Sequence, residues 1–444
     1  MQTKVAERFL IGILLVVAGG IVLHAPLSVW LSTQVPEQAL VVKAWKELLL
    51  GLALVLLVVE VWRRKLLGDF LHDRLMQIAL AYALLHFTMA VLFADKNGWT
   101  AVGAGLLIDL RYVLYLVLVY GAMRLYPHWR DVFIKIFVAG AAVVVGFGLL
   151  QMFVLPKDIL THIGYSKDTI LPYMTVDENP EYIRINSTLR GPNPLGAYTA
   201  IVIGVLTAVM MKWKLSRRSW LLAGGAMLVA LLVLGASHSR SSVIGAIIAS
   251  VIVVVVAVSA KMRKRLLVGV GIGALVLVGA IFALREDPVV SNLVFHDSPT
   301  TGAKIDSNSA HVESLAEGVS RMVRQPLGAG VGSTGSASLL SDQSLILENH
   351  YLFIAHEAGW IGLVLFSWLF VEIMKQLWRR RQHVLALGVF GSGVGLAVIG
   401  LLLPVWADDT VSIVWWGLAG LGIGLPVDGW KTGSRDRRRE KKHG

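Results

Sequence analysis

The chain has 444 residues, 56% of them hydrophobic and only 16% charged, with a net charge of +12. A soluble protein of this length needs far more charged surface, so composition excludes an ordinary globular enzyme. There are no cysteines, which excludes disulfides and thiolate metal sites.

The apolar residues fall in blocks of about 20, the length that crosses a hydrocarbon core of about 30 Å. Inside such a core every backbone amide must be satisfied within its own segment, so the blocks are read as helices and the fold class as all-α. The first block, Phe9–Leu23, follows Lys4 and Arg8. It has the charge pattern of a signal sequence but no small-residue cleavage site behind it, and is read as the first span. In chain order about twelve spans are predicted: 9–30, 39–62, 75–94, 99–123, 132–154, 194–212, 219–235, 243–260, 266–284, 350–374, 384–403 and 410–427. Basic residues collect in alternate connections. They include Arg63, Arg64 and Lys65; Lys212, Lys214, Arg217 and Arg218; Lys261, Arg263, Lys264 and Arg265; Arg379, Arg380 and Arg381; and the run Arg437, Arg438 and Arg439. That alternation predicts both termini in the cytoplasm. Residues 1–430 are expected to form one membrane domain, and 431–444 a basic tail that meets anionic lipid rather than nucleic acid.

Two connections on the other, extracytoplasmic side are long, 155–193 and 285–349. The second carries a helical pattern through Val312, Leu315, Ala316, Val319 and Val323, with Glu317 and Arg321 paired four apart. This helix is expected to lie over the membrane face. The turn after it, from Pro326 to Gly332, has glycines that allow positive φ or close backbone approach. As a phosphate loop it is weak, because no strand pattern precedes it.

Arginines on the extracytoplasmic side are the chemically informative residues. Arg184 and Arg190 precede the sixth span in a segment that continues through Asn193, and Arg240 sits among serines in the hairpin Ser237–Ser242. A guanidinium offers a fixed fork of donors suited to phosphate oxygens, and at membrane level it must be paired to be tolerated. The alternative for each is a local carboxylate or carbonyl partner. A third cluster, Glu348, Asn349, His350 and Tyr351, opens the tenth span, with Glu357 two turns deeper. His350 can accept a proton from a hydroxyl; Asn349 or Glu348 can equally be a helix cap. Asp109 and Arg111, two apart in the fourth span, point to different faces, so each is expected to meet another helix. No metal-ligand spacing is visible, so metal-independent chemistry without a cofactor is expected.

Taken together, these segments show a known order of motifs: Arg-x-Asn-Ser-Thr-Leu-x-Gly-Pro-Asn-Pro-Leu-Gly from Arg184, Ser-x-Ser-Arg at Arg240, Gln-Pro-Leu-Gly-x-Gly from Gln325, and Asn-x-Tyr-Leu followed by Glu-x-Gly-x-x-Gly from Asn349. The chain resembles the O-antigen ligase and polymerase superfamily of bacterial envelope glycosyltransferases. The resemblance implies transfer of a glycan from an undecaprenyl diphosphate carrier to an acceptor hydroxyl outside the cytoplasmic (inner) membrane. The acceptor would be a lipid A–core sugar, another lipid-linked glycan or a protein. It implies that Arg240 and Arg184 or Arg190 bind the diphosphate, with Asn193, Asn349 and Tyr351 beside the substrate. His350 or Glu348 would take the proton. Relatives of the ligase type carry His where Glu348 stands, so both residues are carried as the base, and the polymerase reading stays beside the ligase reading. A transporter or flippase for lipid-linked glycans would also show about twelve spans, but it should show related halves, and no internal repeat is apparent.

Overall fold

The computed structural model describes residues 2–176, 179–287, 290, 307–342 and 344–426; the basic tail and residues 291–306 of the second long connection lie outside them. Among the described residues the fold is all-helical apart from one short ribbon. In chain order the helices are α1 (Gln2–Gly20), α2 (His24–Gln34), α3 (Ala39–Lys43), α4 (Trp45–Arg63), α5 (Leu67–Leu71), α6 (Arg74–Asn97), α7 (Trp99–Leu125) and α8 (Arg130–Phe153). The strands β1 (Met174–Val176) and β2 (Asn179–Arg184) follow, then α9 (Pro192–Lys212), α10 (Arg217–Ala236), α11 (Arg240–Ala257) and α12 (Ala260–Ala283). The remainder are α13 (Ser307–Arg324), α14 (Gly335–Ser338), α15 (His350–Arg379), α16 (Val384–Ile399) and α17 (Asp409–Ile423).

Among the described residues, nine helical segments are long and apolar enough to cross a membrane. They cover the predicted spans except three, which fall on α4, α16 and α17; the last two have 16 and 15 residues. The first predicted span is broken by a 3-10 turn at Ile21–Leu23 between α1 and α2. The ribbon β1–β2, antiparallel with Thr175 opposite Ile183, was not anticipated in the connection 155–193. Its run Met174–Arg184 has too few residues on either strand to show an alternating pattern.

Helix ends follow local chemistry. Asp73 caps α6 by accepting from the amides of Leu75 and Met76, and Gly98 ends it at φ +80°. Asn349 accepts from the Tyr351 and Leu352 amides at the start of α15, and Asp408 accepts from Val411 at the start of α17. In the interior, α9, α11 and α16 approach closely because their contact faces are small. Gly204 faces Ser392, and Gly245 and Ala249 face Gly391 and Gly395. A second packing centre is aromatic: Trp406, Trp415 and Trp416 are buried, with Trp406 and Trp415 ring centres 5.1 Å apart and Phe370 stacked on Trp415. Large apolar side chains on the outside of the bundle, such as Trp62, Leu92, Val138 and Leu222, are exposed, as a lipid-facing belt requires.

The turn after α13 behaves as its glycines allow. Gly328, Gly330 and Gly332 all have positive φ, and the turn docks on a kink in α15 where Gly359 has φ +68°. Ala329 and Gly330 donate to the His356 and Glu357 carbonyls there, and the Trp360 amide donates to Pro326. The amphipathic α13 carries the expected Glu317–Arg321 ion pair.

The close helix contact is testable. A side chain at Gly395 would start 2.4 Å from the Gly245 carbonyl oxygen, whereas one at Gly269 meets nothing within 4 Å. Gly395→Leu should therefore lower thermal stability by about 1–3 kcal/mol while Gly269→Leu leaves it unchanged, read from melting of the purified protein in detergent.

Candidate active site

A cavity of about 320 Å³, largely apolar in its lining but carrying a polar cluster of charged side chains, opens where the start of α9, the turn before α17 and the segment leading into α15 meet. Its wall carries Arg190, Asn193, Glu348 and Asp408, with Gly335 and Ser336 from α14 on one side and Pro404, Val405 and Ala407 as the floor. Each enters for a local reason. Arg190 precedes the Gly191–Pro192 start of α9, where Pro fixes the first helical turn, and Asn193 follows inside it. Glu348 precedes the Asn349 cap of α15, and its amide meets the Ser314 hydroxyl of α13 at 3.4 Å. Asp408 is the cap of α17, so one of its oxygens is committed to Val411.

The floor is fixed from below by buried charge. Asp409 accepts from Lys46 at 2.9 Å and from His24 at 3.0 Å, and Arg111 approaches its second oxygen at 3.4 Å. Lys46 also pairs with Glu47 at 3.1 Å, Arg111 with Glu47 at 3.7 Å, and Arg111 donates to the Ala407 carbonyl. Four helices, α2, α4, α7 and α17, are thereby tied beneath the cavity. Burial, with the neighbouring Asp409 charge, pushes the Asp408 carboxyl above its usual range, against the pull of Arg190 and Arg111.

The glycine turn and α14 are held by Glu357. One of its carboxylate oxygens accepts from the Gly332 amide at 3.0 Å and the Thr334 amide at 3.3 Å, which sets Gly335 and Ser336 at the cavity wall.

The residues singled out from sequence fall into three groups. Arg190, Asn193 and Glu348 share the cavity. Arg184 stands one contact away: its guanidinium donates to Asn193 at 2.6 Å and to the Ser237 carbonyl at 3.0 Å, bridging β2, α9 and the serine hairpin. Arg240 opens α11 beyond that hairpin and does not line the cavity. Of the three arginines, Arg190 lines this cavity and Arg184 reaches it through Asn193.

His350 lies among aromatic rings behind the cavity wall. It is 2% exposed, with its ring parallel to Phe353 at 5.8 Å and tilted on Phe366 at 5.4 Å, and it does not line the cavity. As the first residue of α15, one step inside the Asn349 cap, it turns into the aromatic interior rather than outward. Asn349 caps α15 and donates to the Leu401 carbonyl, and the Tyr351 hydroxyl donates to the Ala397 carbonyl. Asp109 and Arg111 do meet different helices, Asp109 lying 3.9 Å from His86 on α6.

Asp408 was missed. A Pro-x-x-x-Asp-Asp sequence at the start of a span is a signal, since two adjacent acids cannot both be tolerated at a helix start in a membrane without cations. The paired Lys46 and Arg111, far apart in sequence, were the other half of it.

Below the Arg190 cavity lies an apolar cleft of about 460 Å³ between α8, α9, α10 and α17, lined by residues such as Val145, Ile201, Val202, Val229 and Val414, with Tyr198 at its edge. Ala197 and Val411 line the Arg190 cavity, and Ile201 and Val414 line the cleft one turn further along the same two helices.

A multi-pass membrane protein with a charged cavity at the head of an apolar cleft is the class these features define. Residues 225–367 match the family model described as O-antigen ligase, a stretch from within α10 into α15 that includes Arg240, Glu348 and Glu357. The match supports the O-antigen ligase/polymerase superfamily that the motifs indicate, and with it a bacterial membrane protein with glycosyltransferase-type function. No curated protein matches the chain.

The charge network carries a prediction of its own. Arg111→Ala leaves Asp409 and Glu47 with one buried cation fewer, and should destabilise the fold by about 3–5 kcal/mol. Melting of the detergent-purified variant reads this directly; an unchanged melting temperature would mean that the network does not hold the floor.

Proposed function

We propose that the protein transfers a glycan from a polyprenyl diphosphate carrier to an acceptor hydroxyl at the extracytoplasmic face of the inner membrane, with both termini in the cytoplasm and residues 1–430 forming one membrane domain. The observation that carries the reading is the cavity itself, where one guanidinium and two carboxylates face a single space directly above an apolar cleft. A diphosphate suits Arg190, whose fork of donors matches its oxygens, and a hydrocarbon chain suits the cleft.

In this reading Arg190, with Asn193 held by Arg184, positions the diphosphate and stabilises the charge that builds on it as it leaves. The acceptor oxygen attacks the anomeric carbon, the bond from that carbon to the diphosphate oxygen breaks, and the acceptor's proton passes to Glu348 or Asp408. Asp408 is the sharper candidate because burial holds its carboxyl above the ordinary range, closer to the pH at which a base works. Arg111 and Lys46 hold the floor. The reaction calls on no metal, since the leaving group is already a diphosphate met by guanidinium. The aromatic seat of His350 favours a packing role for it.

The test is transfer from purified lipid-linked donor to acceptor by the full-length protein in vesicles. Arg190→Ala should reduce turnover by a hundredfold or more, roughly the effect of removing one preorganised donor from a developing oxyanion. Of Glu348→Gln and Asp408→Asn, at least one should cost tenfold or more, about 1.4 kcal/mol in barrier, whereas His350→Phe should retain activity. If neither carboxylate change slows turnover, general-base catalysis from this cavity is excluded. The pH profile separates the two. A base must be ionised to work, so an Asp408 held up in pKa makes the rate fall as pH drops from a higher value than an ordinary carboxylate would give. In Asp408→Asn that acid limb should disappear or move to lower pH.

A further inference from the structure

A third and larger cavity, about 620 Å³, lies between the end of α8, strand β2 and the end of α10, and it shares no lining residue with the Arg190 cavity. We propose that it binds an anionic phospholipid of the surrounding leaflet. This inference rests on the membrane-spanning fold and goes beyond the transfer reaction.

The wall is of two kinds. Leu231 and Leu232 form an apolar side that is 50% and 37% exposed, and the adjoining Phe153 and Val154 at the end of α8 are 67% and 71% exposed, so the cavity is continuous with the lipid-facing belt. A hydrocarbon chain can therefore enter from the side. At the rim stand Lys157 and His238. The Lys157 ammonium rests over the Tyr173 ring, 5.5 Å from its centre, which fixes the cation without neutralising it. His238 has φ +46°, a conformation rare for a residue with a side chain, and its ring stands edge-on to Tyr182 at 6.5 Å. A cation above an apolar wall open to the bilayer matches a phosphate headgroup above an acyl chain. A soluble phosphate would have no use for the Leu231–Leu232 side.

The position gives such a lipid a consequence. Ala236 and His238 line this cavity and flank Ser237, whose carbonyl accepts from Arg184; the same Arg184 holds Asn193 in the wall of the Arg190 cavity. A lipid seated at Lys157 would brace the β2 end and the serine hairpin, and through Arg184 the placement of Asn193. The lipid is thus a positioning ligand rather than a reactant.

The experiment uses full-length protein in vesicles with phosphatidylglycerol or phosphatidylcholine that carries a photoreactive group on an acyl chain, with adducts mapped by mass spectrometry. Mapping matters because the many basic residues elsewhere attract anionic lipid without binding it at this place. Adducts of phosphatidylglycerol on the peptide that holds Leu231 and Leu232 should exceed those of phosphatidylcholine by about fivefold, the factor that ~1 kcal/mol per basic residue near a surface gives. Lys157→Glu should abolish the excess and Lys157→Arg restore it. Equal labelling by the two lipids in the unaltered protein, or an excess that survives Lys157→Glu, overturns the proposal. Loss of the excess to soluble glycerol phosphate also overturns it, by assigning the site to a free anion. These outcomes are read without turnover, so they stand apart from any failure of the transfer reaction.

Discussion

The structure depends on one buried carboxylate, Asp409, and the two cations and one imidazole gathered on it. In a bilayer no water compensates an isolated charge, so a group of this kind persists only where its partners are built around it. His24, Lys46 and Arg111 come from α2, α4 and α7 to meet it at the start of α17. The same contacts fix Ala407 and Asp408, which are the floor of the Arg190 cavity. Without that anchoring, the short α17 could move relative to α7, and Arg190 would face no defined carboxylate.

A second constraint acts from the opposite wall. Glu357 uses one oxygen to hold two amides of a turn built on three left-handed glycines, and that turn delivers α14 to the cavity. The two carboxylates do related work by different means: Asp409 satisfies cations, and Glu357 satisfies backbone donors that a membrane protein cannot leave unpaired. Between them, an arginine, two carboxyl groups and an open space are held at the head of an apolar cleft. That pairing of a charged recess with a hydrocarbon-lined one is what a lipid carrying a charged headgroup requires.

Much of this was legible in the sequence. Span positions followed from apolar length, the α13 helix from its period, and the glycine turn from composition, because each depends on residues near one another in the chain. Arg190, Asn193 and Glu348 were found because charged or polar side chains are conspicuous among apolar ones. What sequence could not give was partnership. Arg184 stands out as a phosphate ligand, and the structure adds its bonds to Asn193 and the Ser237 carbonyl. His350 looked like a base at a helix mouth, yet the direction of its side chain at the first turn puts it among Phe353 and Phe366. Asp408 escaped notice because its importance lies in Arg190 and Asn193, which are more than 200 residues away in the chain. Local pattern names elements; long-range pairing decides which polar residues remain for chemistry.

The central claim is that a lipid diphosphate is bound with its headgroup at Arg190 and its chain in the cleft beside Ile201 and Val414. The most direct measurement is an electron cryomicroscopy map of the protein in nanodiscs with a non-transferable glycan linked to polyprenyl diphosphate. The account predicts phosphate density within hydrogen-bond reach of the Arg190 guanidinium and continuous chain density in the apolar cleft. Headgroup density elsewhere, with the Arg190 cavity empty, would contradict it.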